Sequence, residues 1–492
     1  MRYFIGVDIG TSSVKSLLLS ESGQVIGIAQ REYDINKADS LCAEQDIDSL
    51  WLKTAETLSE LTGRYNSLRQ SISGIGFSGQ MHGLIMLDKN NIPVRPAIIW
   101  ADGRSRDEIN FIERVIPDYR DITLNSLSTG FLIASLLWVR EHEPDNYEKI
   151  NRVMLPKDYI RFKMCSEFGT DYSDASGTGI FDTAKRTWAF DIMRRLDIDS
   201  KIFVDVHDSC EIAGRVNKEC ADLTGLTEGV NVVFGGGDTL VQAIGNGLTN
   251  NGLISNIGTA SQLLCPVSEA LYDKNFRTNT FCHVINNQWL LTGANLNGGI
   301  ALKWLKNILQ APDYDYMNDL ALKSEPGAKN LFFLPYLNGE RTPYNDPKAR
   351  GVFLGLSLEH SRKDLIRSVM EGIIFSQRET LEIFTQMGLK FSSVISSGGG
   401  AKSEAFKSII ASVLKCKVIT NSITEQGCTG AAILAAVGTG SYSSINEACN
   451  EIIKFDERIT YPDEKLMTLY DELFAKFHKI YPANKDLFAD SV

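Results

Sequence analysis

Long hydrophobic runs, CxxC cysteine pairs and clustered histidines are all missing from this 492-residue sequence. No apolar stretch approaches the ~18 residues that a membrane-spanning helix needs. The nine cysteines are an odd number, and the six histidines form no HExxH or similar set. These absences argue against a disulfide framework, a zinc knuckle and a membrane span. The apolar run at the N-terminus is interrupted by Asp8 and does not resemble a secretory signal, so we expect a cytoplasmic protein.

Basic residues are also fewer than acidic ones. The sequence has 50 lysines and arginines against 61 aspartates and glutamates, a formal net charge of -11. Such a surface repels nucleic acid and anionic lipid. We therefore expect neither a nucleic acid nor a membrane as partner, and small molecules instead. At roughly 100–200 residues per domain, the length predicts two to four domains.

The periodicity of the chain favours an α/β fold. The runs Tyr3–Ile9, Val14–Ser20 and Gln24–Gln30 are strand-like and are separated by segments of turn composition, which predicts a β-meander. A helix is predicted over 48–61, and a strand over Ile72–Phe77 runs into "SGQMHG". Strands and helices alternate beyond this point, as in α/β proteins.

An internal echo divides the sequence into two halves. "GVDIGTSSVKSLLL" and "GLISNIGTASQLLC" both consist of a strand, an Ile-Gly-Thr-small-Ser turn and a second strand. Asp8 of the first copy is replaced by Asn256 in the second. Two copies half a chain apart suggest duplicated domains that face each other, and we place these at residues 1–247 and 248–492.

Two glycine triplets mark candidate phosphate loops. In "VNVVFGGGDTLVQAIGNG" a strand leads through Gly235–Gly237 to Asp238 and a helix, and in "SVISSGGGAKSEAFKSII" a strand leads through Gly398–Gly400 to another helix. Glycines let a ligand approach the backbone, and a helix N-terminus favours phosphate. Each of these features also has an interpretation without a ligand. Asp238 could be an N-cap, the second triplet an ordinary βα turn, and the Gly-Thr pairs simple hairpin turns. No GxxxxGK[ST] or GxGxxG motif is present, so a P-loop is not expected.

The order of ten motifs resembles that of the FGGY carbohydrate kinases, within the superfamily of sugar kinases, actin and heat-shock ATPases. The motifs are "DIGTSSVK", "FSGQMHG", "PAIIWADGRS", "LPKDYIRFKM", "TDYSDASGTGIFD", "GGGDTL", "NIGTAS", "FLPYLNGERTP", "GVFLGLSLEHSRKDLIRSVMEG" and "SSGGGAKSEAF". They cover nearly the whole chain. The resemblance implies an α/β protein with two duplicated RNase H-like domains, like those of actin-like ATPases, and a nucleotide and sugar cleft between them. It also implies ATP and Mg²⁺ as cofactors, and it is compatible with a homodimer.

The resemblance also implies a role for individual residues of this sequence. Asp238 would be the general base for the sugar hydroxyl and would also bind substrate, and Asp8 would be the second catalytic carboxylate. Both carboxylates would take part in binding the metal, and Asp8 would hold Mg²⁺. The remaining assignments are Met81, His82 and Asp102 to the sugar, Thr11, Gly258 and Thr259 to the ATP phosphates, and Gly399 and Gly400 to the adenosine end.

Elementary chemistry supports several of these assignments. An acid inside an apolar strand is costly unless it is compensated, and Mg²⁺ arriving with a nucleotide would compensate Asp8. Phosphoryl transfer needs positioning and charge neutralisation more than covalent chemistry. The alternative for His82 is a satisfied half-buried side chain, and that for Asp102 is a turn. Glu340 and Arg341 could form a structural ion pair, and no chemistry is assigned to them.

The implied activity is ATP-dependent phosphorylation of a sugar, with D-xylulose as the expected acceptor. Three departures from the family pattern concern the acceptor: Cys42 stands where relatives have Trp, Ala101 where they often have Asn, and Ser135 where they have Lys. Another pentulose, a pentitol or a sugar acid therefore remains an alternative acceptor. A non-catalytic protein that senses sugar and nucleotide is the alternative from another class.

Overall fold

The computed structural model describes residues 1–250 and 252–491. The strands are β1 (Tyr3–Ile9), β2 (Ser13–Ser20), β3 (Val25–Glu32), β4 (Glu44–Gln45), β5 (Ile72–Gly79), β6 (Ile85–Leu87), β7 (Ala97–Ile98), β8 (Arg152–Met154), β9 (Thr170–Asp171), β10 (Phe181–Asp182), β11 (Thr187–Trp188), β12 (Val206–His207), β13 (Ile212–Arg215), β14 (Asn231–Val233), β15 (Gly236–Gly237), β16 (Leu253–Ile257), β17 (Ser261–Val267), β18 (Asn279–Cys282), β19 (Trp289–Asn295), β20 (Phe332–Leu334), β21 (Val352–Leu354), β22 (Ser393–Gly398) and β23 (Lys417–Ile419).

Helices connect and cover these strands. The α-helices are α1 (Ile47–Arg64), α2 (Arg106–Val115), α3 (Tyr119–Thr123), α4 (Leu132–His142), α5 (Pro144–Tyr147), α6 (Pro156–Cys165), α7 (Tyr172–Ala175), α8 (Phe190–Arg195), α9 (Lys218–Thr224), α10 (Asp238–Gly245), α11 (Gly299–Leu309), α12 (Tyr314–Lys323), α13 (Arg362–Gln386), α14 (Glu404–Leu414), α15 (Gln426–Gly438), α16 (Ile445–Ile452), α17 (Glu464–Phe477) and α18 (Ile480–Ser491). Among the described residues, no helix is both long and apolar enough to cross a membrane.

Two mixed sheets repeat one arrangement. The first has the strand order β13-β14-β5-β1-β2-β3, with β15 added alongside β5, and the second has the order β18-β19-β17-β16-β22-β23. In each sheet the predicted Gly-Thr turn joins two antiparallel strands, β1 to β2 and β16 to β17, and the first strand of that pair lies parallel to a later strand. The β-meander, the internal echo and the α/β fold are therefore confirmed.

Local sequence explains the two long helices that cover the sheets. Helix α1 follows Asp46, whose carboxylate caps the backbone N–H groups of Asp48 and Ser49. Helix α13 begins with a reciprocal capping box between Ser361 and Asp364. The apolar face of α1 packs on the first sheet, and α13 is buried in the core of the second.

One helix from the second half of the chain packs on the first sheet. Helix α15 shares a core with residues of β1, β2 and α10, and Cys428 within it is fully buried, as the sequence predicts. It lies so close that a Cβ on Gly6 would come 1.8 Å from the Cys428 carbonyl oxygen, and a Cβ on Gly76 would come 2.0 Å from that of Ala431. The two halves therefore share a core, and the division at residues 247 and 248 stays a prediction.

Candidate active site

The sheet edges bring the predicted loops together in two groups. In the first sheet β1, β5 and β15 run parallel, with Ile9 opposite Gly79 and Gly79 opposite Gly237. The segments that follow these strands contain Thr11, Met81, His82 and Asp238, so all four lie at one edge. The carboxyl ends of parallel strands are where α/β proteins gather ligands.

The second sheet repeats this geometry with its own loops. Strands β16 and β22 are parallel, with Ile257 opposite Gly398, so Gly258 and Thr259 lie beside Gly399 and Gly400. Gly258, Thr259 and Gly399 are exposed, whereas Gly400 is buried. The predicted phosphate and adenosine residues of this half thus lie together at one sheet edge, where all but Gly400 are exposed.

Asp8 is the acid of the first strand. Its Oδ1 accepts a hydrogen bond of 2.6 Å from the buried Ser78 hydroxyl. Burial raises the pKa of Asp8, against the opposing effects of Ser78 and of Lys15. A Cβ on Gly427, in the first turn of α15, would come 2.6 Å from Asp8 Oδ2, so only glycine lets the helix backbone pack this close to the carboxylate. Mg²⁺ is usually bound by one or two carboxylates together with water and substrate phosphate oxygens, and the Asp8 carboxylate lies near that of Asp238, so the residues present fit this ion.

Asp238 is the first residue of α10, and Gly237 occupies the N-cap position. The alternative interpretation of Asp238 as an N-cap is therefore wrong. Its Oδ1 accepts the backbone N–H of Thr239 at 2.6 Å and the Thr239 hydroxyl at 3.2 Å. Burial and, to a lesser extent, the charge of Asp8 raise the pKa of Asp238 to about 6. The carboxyl group is then mostly ionised at neutral pH and is a better proton acceptor than an ordinary aspartate.

His82 is held rigidly in one tautomer. Its ring is stacked on Phe131 with 4.2 Å between centroids, and its Nδ1 lies 2.5 Å from the Gly177 carbonyl oxygen. Burial lowers the pKa of His82 to about 4, so the ring is neutral near pH 7. Because a carbonyl only accepts, Nδ1 carries the proton and Nε2 keeps a lone pair for a hydroxyl group.

A cavity of about 290 Å³ lies between the two halves. Of the residues predicted to contact the sugar, Met81, His82 and Asp238 line it. A Cβ on Gly237 would come 2.8 Å from Met81 Cγ, which explains why glycine precedes the carboxylate here. Further lining residues are ones that we did not predict as sugar contacts; they include Trp100, Gln262, Arg277, Asn295 and Arg341.

The carboxylate of Asp102 is bonded to protein groups outside the cavity. Its carboxylate accepts the backbone N–H of Ala43 at 2.8 Å and pairs with the Arg104 guanidinium at 2.9 Å, and it also accepts the Arg104 backbone N–H. It is 2% exposed and is not among the described residues that line the cavity. These contacts agree with the turn interpretation, and a contact between Asp102 and sugar stays a prediction.

Thr11 connects the first phosphate loop to the cavity. Its hydroxyl oxygen accepts a hydrogen bond of 2.9 Å from Trp100 Nε1, and Trp100 lines the cavity. The Thr11 carbonyl accepts from the Gln45 side chain at 2.6 Å. The loop that would contact ATP phosphates therefore touches a wall of the acceptor cavity.

The second loop rests on the start of α11. The Gly258 carbonyl accepts the Gly299 N–H at 2.7 Å, and the Thr259 carbonyl accepts the N–H groups of Gly298 and Ile300. A Cβ on Gly298 would come 2.4 Å from the Ala260 carbonyl oxygen. This support depends on the Gly-Gly pair in "NLNGGIALKW", a signal that the sequence contains but that we did not interpret.

Arg341 is the residue whose surroundings differ most from expectation. Among the described residues it has no ion pair, so the suggested pair with Glu340 is wrong. The Glu340 carboxylate instead accepts the backbone N–H groups of Leu296 at 2.7 Å and of Arg341 at 2.8 Å. By contrast, Arg277 is paired with Asp273 at 2.8 Å. Arg341 therefore brings to the cavity a positive charge that has no ion-pair partner among the described residues and only a longer-range attraction to Glu340.

The comparisons with known proteins agree along the whole chain. The models of the FGGY family of carbohydrate kinases match residues 3–245 (N-terminal domain) and residues 253–439 (C-terminal domain). The xylulose kinase of Bacillus subtilis (strain 168) is 35% identical, over 99% of this chain and 98% of that protein. The xylulose kinase of Escherichia coli (strain K12) is 34% identical, over 97% and 98%. A solved structure described as a xyloylose kinase from Brucella ovis has a TM-score of 0.94 and 31% identity, over 99% and 100%.

Proposed function

The chain belongs to the FGGY family of carbohydrate kinases, and on that premise we propose that it transfers the terminal phosphoryl group of ATP to D-xylulose. The products are D-xylulose 5-phosphate and ADP. The enzyme is a phosphotransferase with an alcohol group as acceptor. Xylulose is proposed because curated xylulose kinases match nearly the full length of the chain. The observation that carries the proposal is the cavity that Asp238 shares with Met81 and His82.

Asp238 is the proposed general base. The sugar hydroxyl oxygen attacks the terminal phosphorus of ATP, the bond from that phosphorus to the bridging oxygen breaks, and ADP leaves. The hydroxyl proton passes to Asp238, whose raised pKa suits this transfer near neutral pH. In a loose phosphoryl-transfer transition state the proton moves as the new bond forms, so position matters as much as basicity.

His82 and Met81 are the proposed sugar contacts. The His82 Nε2 lone pair accepts a hydrogen bond from a sugar hydroxyl, and stacking on Phe131 fixes the direction of that bond. Met81 gives an apolar, adaptable wall against the carbon chain. Asp102 stays a third proposed contact, and reaching the sugar would require its carboxylate to turn away from Arg104, with which it is paired.

The loops of the two sheets are the proposed ATP site. Thr11, Gly258 and Thr259 would contact phosphate oxygens, and Gly399 and Gly400 the adenosine end. Asp8 and Asp238 would hold Mg²⁺, which when bound supplies neutralisation of charge on the phosphate oxygens. The cavity walls come from both halves of the chain, and closure of these halves on the sugar would keep bulk water from competing with it as acceptor.

A sugar acid is the second candidate acceptor, because Arg341 lines the cavity and has no ion-pair partner in the part of the chain that the structure describes. A guanidinium is well suited to binding a carboxylate in bidentate geometry. Another pentulose or a pentitol would use the same hydroxyl chemistry.

We further propose a cytoplasmic enzyme that works on small molecules without nucleic acid or membrane partners, in keeping with its net charge of -11. A homodimer is also proposed, and light scattering of the purified protein tests it.

An acceptor panel tests the function. The protein is incubated with Mg-ATP and D-xylulose, other pentuloses, pentitols or aldonic acids, and ADP release is followed. We expect the highest kcat/KM with D-xylulose, and turnover should be lost in Asp238→Asn while nucleotide binding stays within a few-fold of the wild type. Highest kcat/KM with an aldonic acid would support the second candidate. Binding of sugar and ATP without ADP release would indicate a sensor, and sugar-independent hydrolysis would contradict the kinase proposal.

A further inference from the structure

The glycine run that precedes Asp238 is anchored by two serines. The Gly237 N–H donates to the Ser173 hydroxyl oxygen at 2.9 Å, and the Gly235 N–H donates to the Ser209 carbonyl oxygen at 3.0 Å. Both serines are buried. The backbone that carries Asp238 is thus bonded on either side of Gly236, and not only through the pairing of β15 with β5.

A single carboxylate organises both serines. Asp171 Oδ2 accepts from the Ser173 N–H at 2.8 Å, the Ser173 hydroxyl at 2.5 Å and the Ser209 hydroxyl at 3.0 Å. A hydroxyl has one proton to donate. Because Ser173 gives that proton to Asp171, its oxygen must turn a lone pair toward the Gly237 N–H. Asp171 therefore sets the direction of the hydrogen bond next to Asp238.

The opposite side of Asp171 faces a buried cation. Lys157 Nζ lies 2.9 Å from Asp171 Oδ1, 2.6 Å from Asp158 and 3.2 Å from Asp174, and all four side chains are fully buried. Burial alone would lower the pKa of Lys157, but the three carboxylates raise it, so the ammonium group stays charged. A buried ion cluster is weak evidence for a stabilising role, because well-packed apolar residues often serve as well.

The same lysine contacts the sugar-side strand. A Cβ on Gly79 would come 2.6 Å from Lys157 Cβ, so the lysine stem packs directly against the end of β5. Gly79 lies opposite Gly237 in the parallel register and is two residues before Met81. One buried network therefore touches the strand that leads to the sugar contacts and the strand that leads to Asp238.

We propose that Asp171 and Ser173 are positioning residues that hold the Gly235–Gly237 backbone, and through it the carboxylate of Asp238, in place for proton transfer. The proposal deepens the proposed function and rests on Asp238 being the base. Neither residue is among those lining the cavity in the described part of the chain, so neither touches the sugar. Their effect must appear in the chemical step and not in substrate binding.

Ser173→Ala tests the proposal, because it removes the acceptor of the Gly237 N–H and little volume. We expect kcat with D-xylulose, or with the best acceptor of the panel, to fall about 10- to 100-fold, as for a misplaced catalytic group. The KM values for sugar and ATP should stay within about threefold, because the groups that bind them are untouched. Thr178→Val is the matched control, since its buried hydroxyl donates to the Ala175 carbonyl at 2.6 Å and has no bond to the glycine run.

The outcomes separate this proposal from the proposed function. If wild-type protein phosphorylates an acceptor and Ser173→Ala retains the kcat of Thr178→Val, the positioning role is wrong and the proposed function stands. Loss of turnover with a matching rise in KM would also contradict positioning. If wild-type protein phosphorylates nothing, both proposals are overturned. Ser209→Ala, which removes one bond to Asp171, is the second variant should Ser173→Ala not fold, and it should lower kcat by a smaller factor without changing KM.

Discussion

The negative charge of Asp8 makes Asp238 harder to ionise. Burial has the larger effect and the Asp8 carboxylate the smaller one, and together they raise the pKa of Asp238 to about 6. The two aspartates come from sequence positions 230 residues apart, and the parallel pairing of β1, β5 and β15 brings them to one sheet edge. With Asp238 as the proposed base, this relationship predicts that catalysis depends on pH in a range where enzymes are easily assayed.

We expect kcat/KM for the sugar to fall as the pH drops below about 6, because the protonated carboxyl of Asp238 cannot accept the hydroxyl proton. Initial rates at low sugar concentration between about pH 5 and about pH 8 measure this fall, which is the acidic limb of the pH profile. In Asp8→Asn the residual activity should show the limb at lower pH, because a negative charge that raises the pKa of Asp238 is gone. A limb that stays in place or moves upward contradicts the assignment.

His82 gives a second, separable prediction. Its pKa of about 4 means that it does not titrate with Asp238, so His82→Asn should keep the acidic limb near 6. Asparagine tolerates the positive φ of 73° at this position better than alanine does. Loss of the Nε2 acceptor should raise the sugar KM about 10-fold, in line with one hydrogen bond, with the ATP KM unchanged. An acidic limb that disappears in this variant would identify His82, and not Asp238, as the base.

Gly427→Ala should disrupt the metal side of the site. The new Cβ would stand 2.6 Å from Asp8 Oδ2, closer than any real contact, so the carboxylate or the first turn of α15 must move. We expect kcat/KM to fall at least about 10-fold and the Mg²⁺ concentration for half-maximal rate to rise, because Asp8 is displaced. Gly63→Ala is the matched control, since a Cβ there, in the last turn of α1, meets nothing within 4 Å. An unchanged response to Mg²⁺ in Gly427→Ala would separate Asp8 from metal binding.

The sequence predicts the local geometry of this site well and its tertiary surroundings poorly. Ile-Gly-Thr turns and glycine triplets have strong local preferences, so the hairpins of both halves and the loop before Asp238 could be recognised from the residues alone. Whether Asp102 faces a ligand depends on Arg104 and on the Ala43 backbone. The position of Ala43 beside it results from the tertiary fold, and no local pattern encodes it.

Helix α15 illustrates the same limit at the level of domains. The run "EQGCTGAAILAAVG" predicts a buried helix, but only the structure shows that it packs on the sheet formed by the other half of the chain. Gly6 and Gly76 in β1 and β5 are the signals of that close approach. Taken singly they look like ordinary strand glycines, since the helix residues that need the space are 355 residues from Gly76 and 422 residues from Gly6 in sequence.

Glu340 makes a prediction about stability. Burial raises its pKa from 4.5 to about 8, so the folded protein holds a proton that the unfolded chain releases at lower pH. Its contribution to the free energy of unfolding therefore falls as the pH rises from about 4.5 to about 8. Glu340→Gln keeps an acceptor for the N–H groups of Leu296 and Arg341 without the ionisation. We expect this variant to be more stable than the wild type at about pH 8.5 and similar at about pH 5, measured by urea unfolding. A difference that does not change with pH contradicts the shift.

Arg341 makes the last prediction, which uses charge as the probe. The sugar is neutral, but the phosphorylated product carries about two negative charges near neutral pH, so an unpaired guanidinium in the cavity attracts the product more than the substrate. Arg341→Gln should therefore weaken product inhibition by the sugar phosphate more than it raises the sugar KM. Arg341→Lys retains the charge and should stay nearer the wild type in the inhibition constant. The effect should also shrink at high salt, because Arg341 is exposed to solvent and salt therefore screens its charge. Equal changes in product inhibition and sugar KM would mean that Arg341 acts through shape or hydrogen bonding to the sugar, and a selective loss of aldonic acid turnover would assign it to a carboxylate.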